Sequence, residues 1–269
     1  MSPLFTLQTL DAYNPGPMTA TGNHTYLLAA NGAALLIDAG TGAPQHLAAL
    51  GEALDSAGAR LTRVLVTHAH PDHASGAPAL REAHPAAVFM KMRWPGEDEH
   101  YAVTWTAIVD GQEFAVGDTL VRAVYTPGHS PDHLAFWEPS THTCFSGDLV
   151  IRNSSVMIHA SGGGDLSAYL ESLERLRQLR PARLMPAHGA EIDDPDTVLR
   201  DYLAHRLMRE QQVLSALEAG RQSVPAIAES IYHGLDPALL PAAQENVRAH
   251  LEKLRREGRA FEDDGRWRL

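Results

Sequence analysis

At 269 residues, 44% hydrophobic and 20% charged, the chain has the composition of a folded protein and room for one large domain plus a small appendage, which excludes disorder and fibrous repeats. Its net charge of −11 is uneven: residues 1–199 hold 11 basic and 22 acidic side chains and residues 200–269 hold 11 of each, so the first part disfavours non-specific binding of polyanions. The single cysteine, Cys144, excludes an internal disulfide framework and a cysteine-rich zinc site.

The N-terminal segment, residues 1–10, lacks the basic start and apolar stretch of a secretory signal, and no apolar run is long enough to cross a bilayer. A cytoplasmic protein without membrane association is expected. Two β-rich runs, 24–30 and 33–38, flank the turn Asn31-Gly32 and predict an opening hairpin. A helical stretch over 44–57 follows, then the apolar run Val64-Leu65-Val66, which ends in a histidine-rich segment. Further strands are predicted at 87–92, 119–125, 134–137 and 143–145, enough for two sheets. Over 165–179 the residues Leu166, Tyr169, Leu170, Leu173 and Leu176 recur at helical spacing, with Asp165 as N-cap and Pro181 just past the end. After Asp193-Asp194-Pro195-Asp196 the pattern changes to helices over 197–219, 224–232 and 241–257. A hairpin of 259–262 with 266–269, turned at Asp264-Gly265, closes the chain. That order resembles a winged helix-turn-helix, and it divides the chain into residues 1–194 and 195–269.

Fifteen histidines are many for this length, and they are bunched. Thr67-His68-Ala69-His70-Pro71-Asp72-His73 sets three imidazoles and a carboxylate directly after an apolar strand, and Pro71 predicts a loop there rather than a helix. Gly128-His129, Gly147-Asp148 and His188-Gly189 each follow an apolar stretch, with glycine to let the backbone turn tightly. Imidazole and carboxylate are ligands for zinc, and catalytic sites leave a position open for water. Asp38, at the end of Leu35-Leu36-Ile37, is either a turn aspartate or a carboxylate that holds a ligand imidazole. His133 shares the 128–133 loop and is a weaker candidate for supporting the cluster from behind.

His-X-His-X-Asp-His followed by separate His, Asp and His elements resembles the signature of the metallo-β-lactamase superfamily. The resemblance implies an α/β chain folded as an αββα metallo-β-lactamase sandwich, here with a small C-terminal winged-helix-like domain. It also implies two zinc ions, or manganese or iron in the same site. His68, His70 and His129 would bind one, Asp72, His73 and His188 the other, with Asp148 bridging. A hydroxide between them would be the nucleophile, and Asp72, the candidate catalytic residue, would orient it or accept its proton. Within the superfamily the chain is most similar to the β-lactamase-like protein two family. Four passages carry this: 14–19 (Asn-Pro-Gly-Pro-Met-Thr), 128–133, Pro186-Ala187-His188-Gly189, and the tail around His205-Arg206 and Arg209-Glu210-Gln211-Gln212. A cysteine-ligated zinc β-lactamase would need Cys where Asp148 stands. The messenger-processing nucleases would need a large insertion where only residues 149–187 lie.

Members of the resembled family include an endoribonuclease of single-stranded RNA and proteins that hydrolyse thioesters. The resemblance leans toward a single-stranded RNA phosphodiester, with an acyl ester or thioester as the alternative and an inactive nucleic-acid-binding regulator as a third reading. Arg248, Lys253, Arg255, Arg256 and Arg259 speak for RNA; Glu245, Glu252 and Glu257 on the same helix speak for a solvated, charge-paired face. Arg93 to Thr106 is expected to be a pocket loop, and Trp94, Trp105 and Trp137 either line the pocket or fill the core. A homo-oligomer is left open. Since every implied ligand precedes residue 199, removing the tail is expected to alter substrate handling more than metal content.

Overall fold

A computed structural model describes residues 5–16, 19 and 21–269. Pro17 and Met18 of the 14–19 passage, and Met1 to Leu4, lie outside the described residues. Strands β2 (His24–Ala30) and β3 (Ala33–Ile37) form the opening hairpin. Its two central residues, Asn31 and Gly32, have φ of 51° and 76°, the signs a type I′ turn demands. Strand β1 (Thr6–Asp11) pairs antiparallel with β2, while β4 (Arg60–Leu65), β5 (Val88–Lys91) and β6 (Trp105–Ala107) continue in parallel beyond β3. The sheet order is β1-β2-β3-β4-β5-β6. A second sheet joins β7 (Glu113–Val116), β8 (Thr119–Tyr125), β9 (Leu134–Glu138) and β10 (Thr143–Gly147) in antiparallel sequence and adds β11 (Arg183–Pro186) parallel to β10.

Alternate residues of each sheet feed two different cores. Leu28, Leu35, Ile37 and Leu65 meet Val121, Phe136 and Phe145 between the sheets. Leu27, Leu36 and Val64 point outward onto α1 (Pro44–Ala57) and α3 (Ala77–Ala83) through Leu50, Leu54 and Leu80. Ala135, Trp137, Cys144 and Leu184 point outward from the second sheet. They pack on Leu173 and Leu176 of α4 (Leu166–Gln178) and on Leu199 and Tyr202 of α5 (Pro195–Glu218). The layers are therefore αββα. With both faces of the central strands buried, their sequences read as unbroken apolar runs.

The far half of α5 belongs to a separate core. Val213 and Leu217 pack with Ile227 of α6 (Val224–Ile231), with Val247, Leu251 and Leu254 of α7 (Leu240–Arg256), and with Trp267. Trp267 lies on β13 (Arg266–Arg268), hairpinned to β12 (Phe261–Asp263) through Asp264-Gly265 at φ 50° and 74°. This is a winged helix, sharing α5 with the sandwich.

Three expectations need correction. Residues 71–74 are a one-turn helix, α2 (Pro71–Ala74), rather than a loop; Pro71 sits at its first position, where a missing N–H costs no intrahelical bond. The end of the 93–106 segment is not pocket loop: Trp105 and Thr106 begin β6, and the Trp105 ring is buried in the core. Strands β7 and β11 were not anticipated either, being four residues each and too short to show a period. Trp137 is core, and Cys144 is fully buried, its thiol pushed upward in pKa by burial.

His250 of α7 is buried with neither ring nitrogen hydrogen-bonded. Burial first, then Arg206, Lys253, His205 and Arg209, hold its pKa at about 3, against 6.5 for an ordinary imidazole. Between these values the unfolded chain carries the proton and the folded one does not. Stability from this site is therefore complete above pH 6.5 and is lost as pH falls toward 3. We expect His250→Leu to melt with a shallower pH dependence than wild type when thermal unfolding is compared at about pH 5 and about pH 7.5. Parallel curves for the two proteins would refute the assignment.

Candidate metal centre

Strand ends from both sheets meet at one rim of the sandwich. Beyond β4 the chain runs through Thr67 to His68 and His70, and α2 carries Asp72 and His73. The second sheet supplies His129 after β8, Asp148 directly after β10 and His188 just after β11. Two close approaches require glycine here. A Cβ on Gly128 (φ 128°) would lie 2.3 Å from the Tyr169 nitrogen, and one on Gly147 (φ 50°) would lie 2.7 Å from Nε2 of His133. Both precede a residue of the cluster.

The seven side chains form interlocking sets: His68, His70 and His129; His68, His73 and Asp148; Asp72, His73 and His188, each with donor atoms within 4.8 Å of one another. Nδ1 of His70 lies 2.9 Å from Nε2 of His68 and 3.0 Å from Nε2 of His129. Nε2 of His188 lies 3.2 Å from Asp72 and 3.4 Å from Oδ1 of Asp148, and Nε2 of His73 lies 3.4 Å from each of these carboxylates. The other Asp148 oxygen, Oδ2, faces Nε2 of His129 at 3.6 Å. Asp148 thus turns one oxygen toward each group.

The outward ring nitrogens decide what the inward ones offer. Nδ1 of His129 faces the Met157 carbonyl at 3.0 Å, an acceptor, so Nδ1 carries the proton and Nε2 presents a lone pair. Nδ1 of His68 faces the Thr67 hydroxyl at 3.0 Å, and that hydroxyl donates to Asp38, so Nε2 of His68 likewise presents a lone pair. Nδ1 of His73 donates to Oδ2 of Asp38 at 2.8 Å. The Nε2 lone pairs of His68 and His129 thus both face Nδ1 of His70, an arrangement that a cation among the three nitrogens would satisfy. Nε2 of His73 and Oδ1 of Asp148 have no hydrogen-bond partner although buried. The donor set therefore fits a pair of metal ions.

Charge reinforces this. Burial works against the charged form of every imidazole and is the largest influence on each. In His68 the neighbouring imidazoles add to it and the pKa falls well below the ordinary value; His70 falls to about 3, chiefly through burial and His129. In His73 the carboxylates of Asp72, Asp148 and Asp38 outweigh burial and raise the pKa, and in His188 Asp148 and Asp72 raise it to about 9. Without metal, the acidic half draws protons onto two imidazoles; cations would take their place.

Support comes from His133, the weaker candidate of the sequence, and from further groups around the cluster. His133 accepts the Asp148 N–H on Nε2 at 3.1 Å and donates from Nδ1 to Thr126, so it positions the Asp148 backbone. Asn23 donates to the Asp72 carbonyl and Tyr101 to that of Ala69. Asp132, on the His129 loop, meets the buried Lys91 at 2.9 Å. Trp94 is half-buried beside His70, with ring centroids 6.4 Å apart. Of the remaining histidines, His46 is buried in the core and bonded to Thr25 at 2.8 Å.

Residues 18–188 match the family model described as the metallo-beta-lactamase superfamily, and residues 223–267 match the beta-lactamase associated winged helix domain. The chain belongs to the metallo-beta-lactamase superfamily. It is 33% identical over 258 residues to the beta-lactamase-like protein 2 homolog of Drosophila melanogaster, covering 91% of this chain and 86% of that protein. It is 34% identical over 239 residues to lactamase-like protein adaB of Aspergillus niger, covering 82% and 71%. A metallo-beta-lactamase family protein from Thermus thermophilus shares the fold, with a TM-score of 0.81 at 22% identity over 97% of this chain and 98% of that one. A structure described as TTHA1623 in a di-iron-bound form matches 66% of this chain and 92% of its own length, at 29% identity and a TM-score of 0.55. Among the described residues no helix of this superfamily member is long and apolar enough to cross a membrane.

Two complete donor sets predict close to two divalent ions per chain, and Asp148→Ala is expected to retain at most one, since the carboxylate between two cations offsets their repulsion. Elemental analysis of both proteins after reconstitution and desalting checks this. Two tightly held ions in Asp148→Ala would refute it.

Proposed function

We propose that this protein is a dinuclear metallohydrolase of acyl esters or thioesters. His68, His70 and His129 would hold one ion and Asp72, His73 and His188 the other, with Asp148 facing both sets. The convergence of inward lone pairs and carboxylate oxygens at one rim carries this reading. Five imidazoles and two carboxylates without a thiolate suit zinc, manganese or iron. When bound, two such ions lower the pKa of a shared water and polarise the substrate oxygen.

The rest is the work of the side chains. Asp38, Thr67 and the Met157 carbonyl fix the tautomers of His73, His68 and His129, so these three need no reorganisation during turnover. Asp72 is the most exposed carboxylate of the cluster, its side chain 22% accessible against 12% for Asp148. It is therefore the one placed to orient the attacking water and hold its proton. Half-buried Trp94 offers an apolar wall beside His70 for an acyl chain.

The state of α7 favours acyl over RNA substrates. Its basic side chains are all engaged: Arg248 with Glu245, Lys253 with Glu210 and Glu257, Arg255 with Glu252 and Glu262, and Arg256 with Asp165. Arg259, just beyond, pairs with Glu210 and Glu257. Phosphate binding relies on free cations, and on this helix only Arg248, whose Nε lies 3.7 Å from Glu245, is loosely held. One of its faces is also spent on the sandwich, where Ala249 joins the core of α4 and α5.

Metal-loaded protein is expected to hydrolyse an acyl thioester with a kcat that falls by about 100-fold or more in Asp72→Asn, the range for loss of a positioned proton acceptor. The same preparations should leave single-stranded RNA intact. Cleavage of RNA with steep salt dependence, without thioester turnover, would overturn the substrate assignment and restore the phosphodiester reading.

A further inference from the structure

The loop over residues 149–164 runs from Asp148 to the start of α4 without a strand or an α-helix, yet its Met157 carbonyl is the group that orients His129. The Val156 carbonyl and the Ile158 N–H, on either side of Met157, find their partners on the C-terminal helices. The Val156 carbonyl accepts from Nη2 of Arg206 on α5, and the Ile158 N–H donates to Oδ1 of Asn246 on α7 at 3.1 Å. Nη1 of Arg206 also donates to that same Asn246 oxygen at 3.2 Å, so the two side chains form one clamp. Arg206 is itself buried and lies over the Tyr169 ring, its guanidinium carbon 5.1 Å from the centroid.

Other contacts hold the loop further from Met157. The Tyr202 hydroxyl bonds both the N–H and the carbonyl of Ile151 at 2.8 Å, and the Ser161 N–H donates to Glu245 at 2.9 Å. Arg256 pairs with Asp165, whose own N–H donates to the Gly128 carbonyl, one residue before His129.

We propose that Arg206 and Asn246 are positioning residues for the metal centre: by clamping Val156 and Ile158 they fix the Met157 carbonyl and, through it, the imidazole of His129. The inference rests on the dinuclear reading above. It runs counter to the expectation that the tail bears on substrate more than on metal, because the tail reaches a ligand through this loop. Carbonyls that orient metal-bound imidazoles influence affinity strongly, their loss costing about 10- to 100-fold.

The test uses full-length protein and zinc. Wild type, Asn246→Leu, Asn246→Asp and Glu245→Ala are each titrated with zinc against a competing chelator, and their melting temperatures are measured in excess zinc. Asp keeps the oxygen acceptor at 246, whereas Leu removes it. Glu245→Ala loosens the same loop away from Met157. The expected result is that Asn246→Leu loses about 10-fold or more in affinity for one of its two ions. Asn246→Asp and Glu245→Ala should remain close to wild type. Should Asn246→Leu not fold, Asn246→Ala removes the same acceptor and is read in the same way. Two wild-type-like affinities in the variant lacking the acceptor, whatever its melting temperature, would overturn the proposal alone. A wild-type protein that binds fewer than two ions would overturn the dinuclear reading and the proposal with it.

Discussion

The carboxylate of Asp38 is the contact on which the metal-binding rim depends. Asp38, just after β3, has φ of 64°, a left-handed conformation that aspartate tolerates better than most residues. Its Oδ1 accepts the N–H of Thr67 at 2.7 Å and its hydroxyl at 2.9 Å, while Oδ2 accepts from Nδ1 of His73. The same Thr67 hydroxyl accepts from His68. One buried charge thereby joins the ends of β3 and β4 to α2 and orients an imidazole in each half of the cluster. A carboxylate this deeply buried is costly without donors, so the formation of the first sheet leaves residues 67–73 little choice of conformation.

The second sheet brings its ligands to the first by close backbone packing and by the buried pair of Lys91 on β5 with Asp132 on the His129 loop. Gly128 and Gly147 allow the chain to pass against Tyr169 and His133, and His133 in turn accepts the Asp148 N–H. Asp148 then faces both groups of nitrogens at once, so the seven-residue cluster exists only when the two sheets have closed on their shared core. Packing and ligand geometry are here one constraint, because a displaced strand end would misdirect a donor by the same distance.

The C-terminal half is tied to this arrangement by charge and hydrogen bonding as well as by α5. Arg206, Asn246, Glu245 and Arg256 each reach the 149–165 stretch. They also account for part of the charge pairing on α7, where Arg256 meets Asp165. Its arginines and lysine serve to dock the winged helix and to balance its own glutamates.

The sequence by itself determined the donor chemistry: Thr67 to His73, with the separate His129, Asp148 and His188, is legible because side-chain identity alone distinguishes metal ligands, and glycine neighbours mark the tight turns. Helices α1 and α4 and the hairpin at Asn31-Gly32 were legible too, since periodicity, capping and turn residues are local properties. What only the tertiary structure decided is the surroundings of that chemistry. The short strands β6, β7 and β11 draw their stability from neighbours and show no period of their own, and α2 forms where Pro71 read as a loop. The Met157 carbonyl had no signal at all, since every residue has a carbonyl and only the fold selects the one that faces His129. The pairing of Lys253 with Glu210, 43 positions away, and of Arg256 with Asp165, 91 positions away, was likewise decided by the fold. Such partners are chosen by the packing of α7 against α4 and α5, which no window of sequence contains.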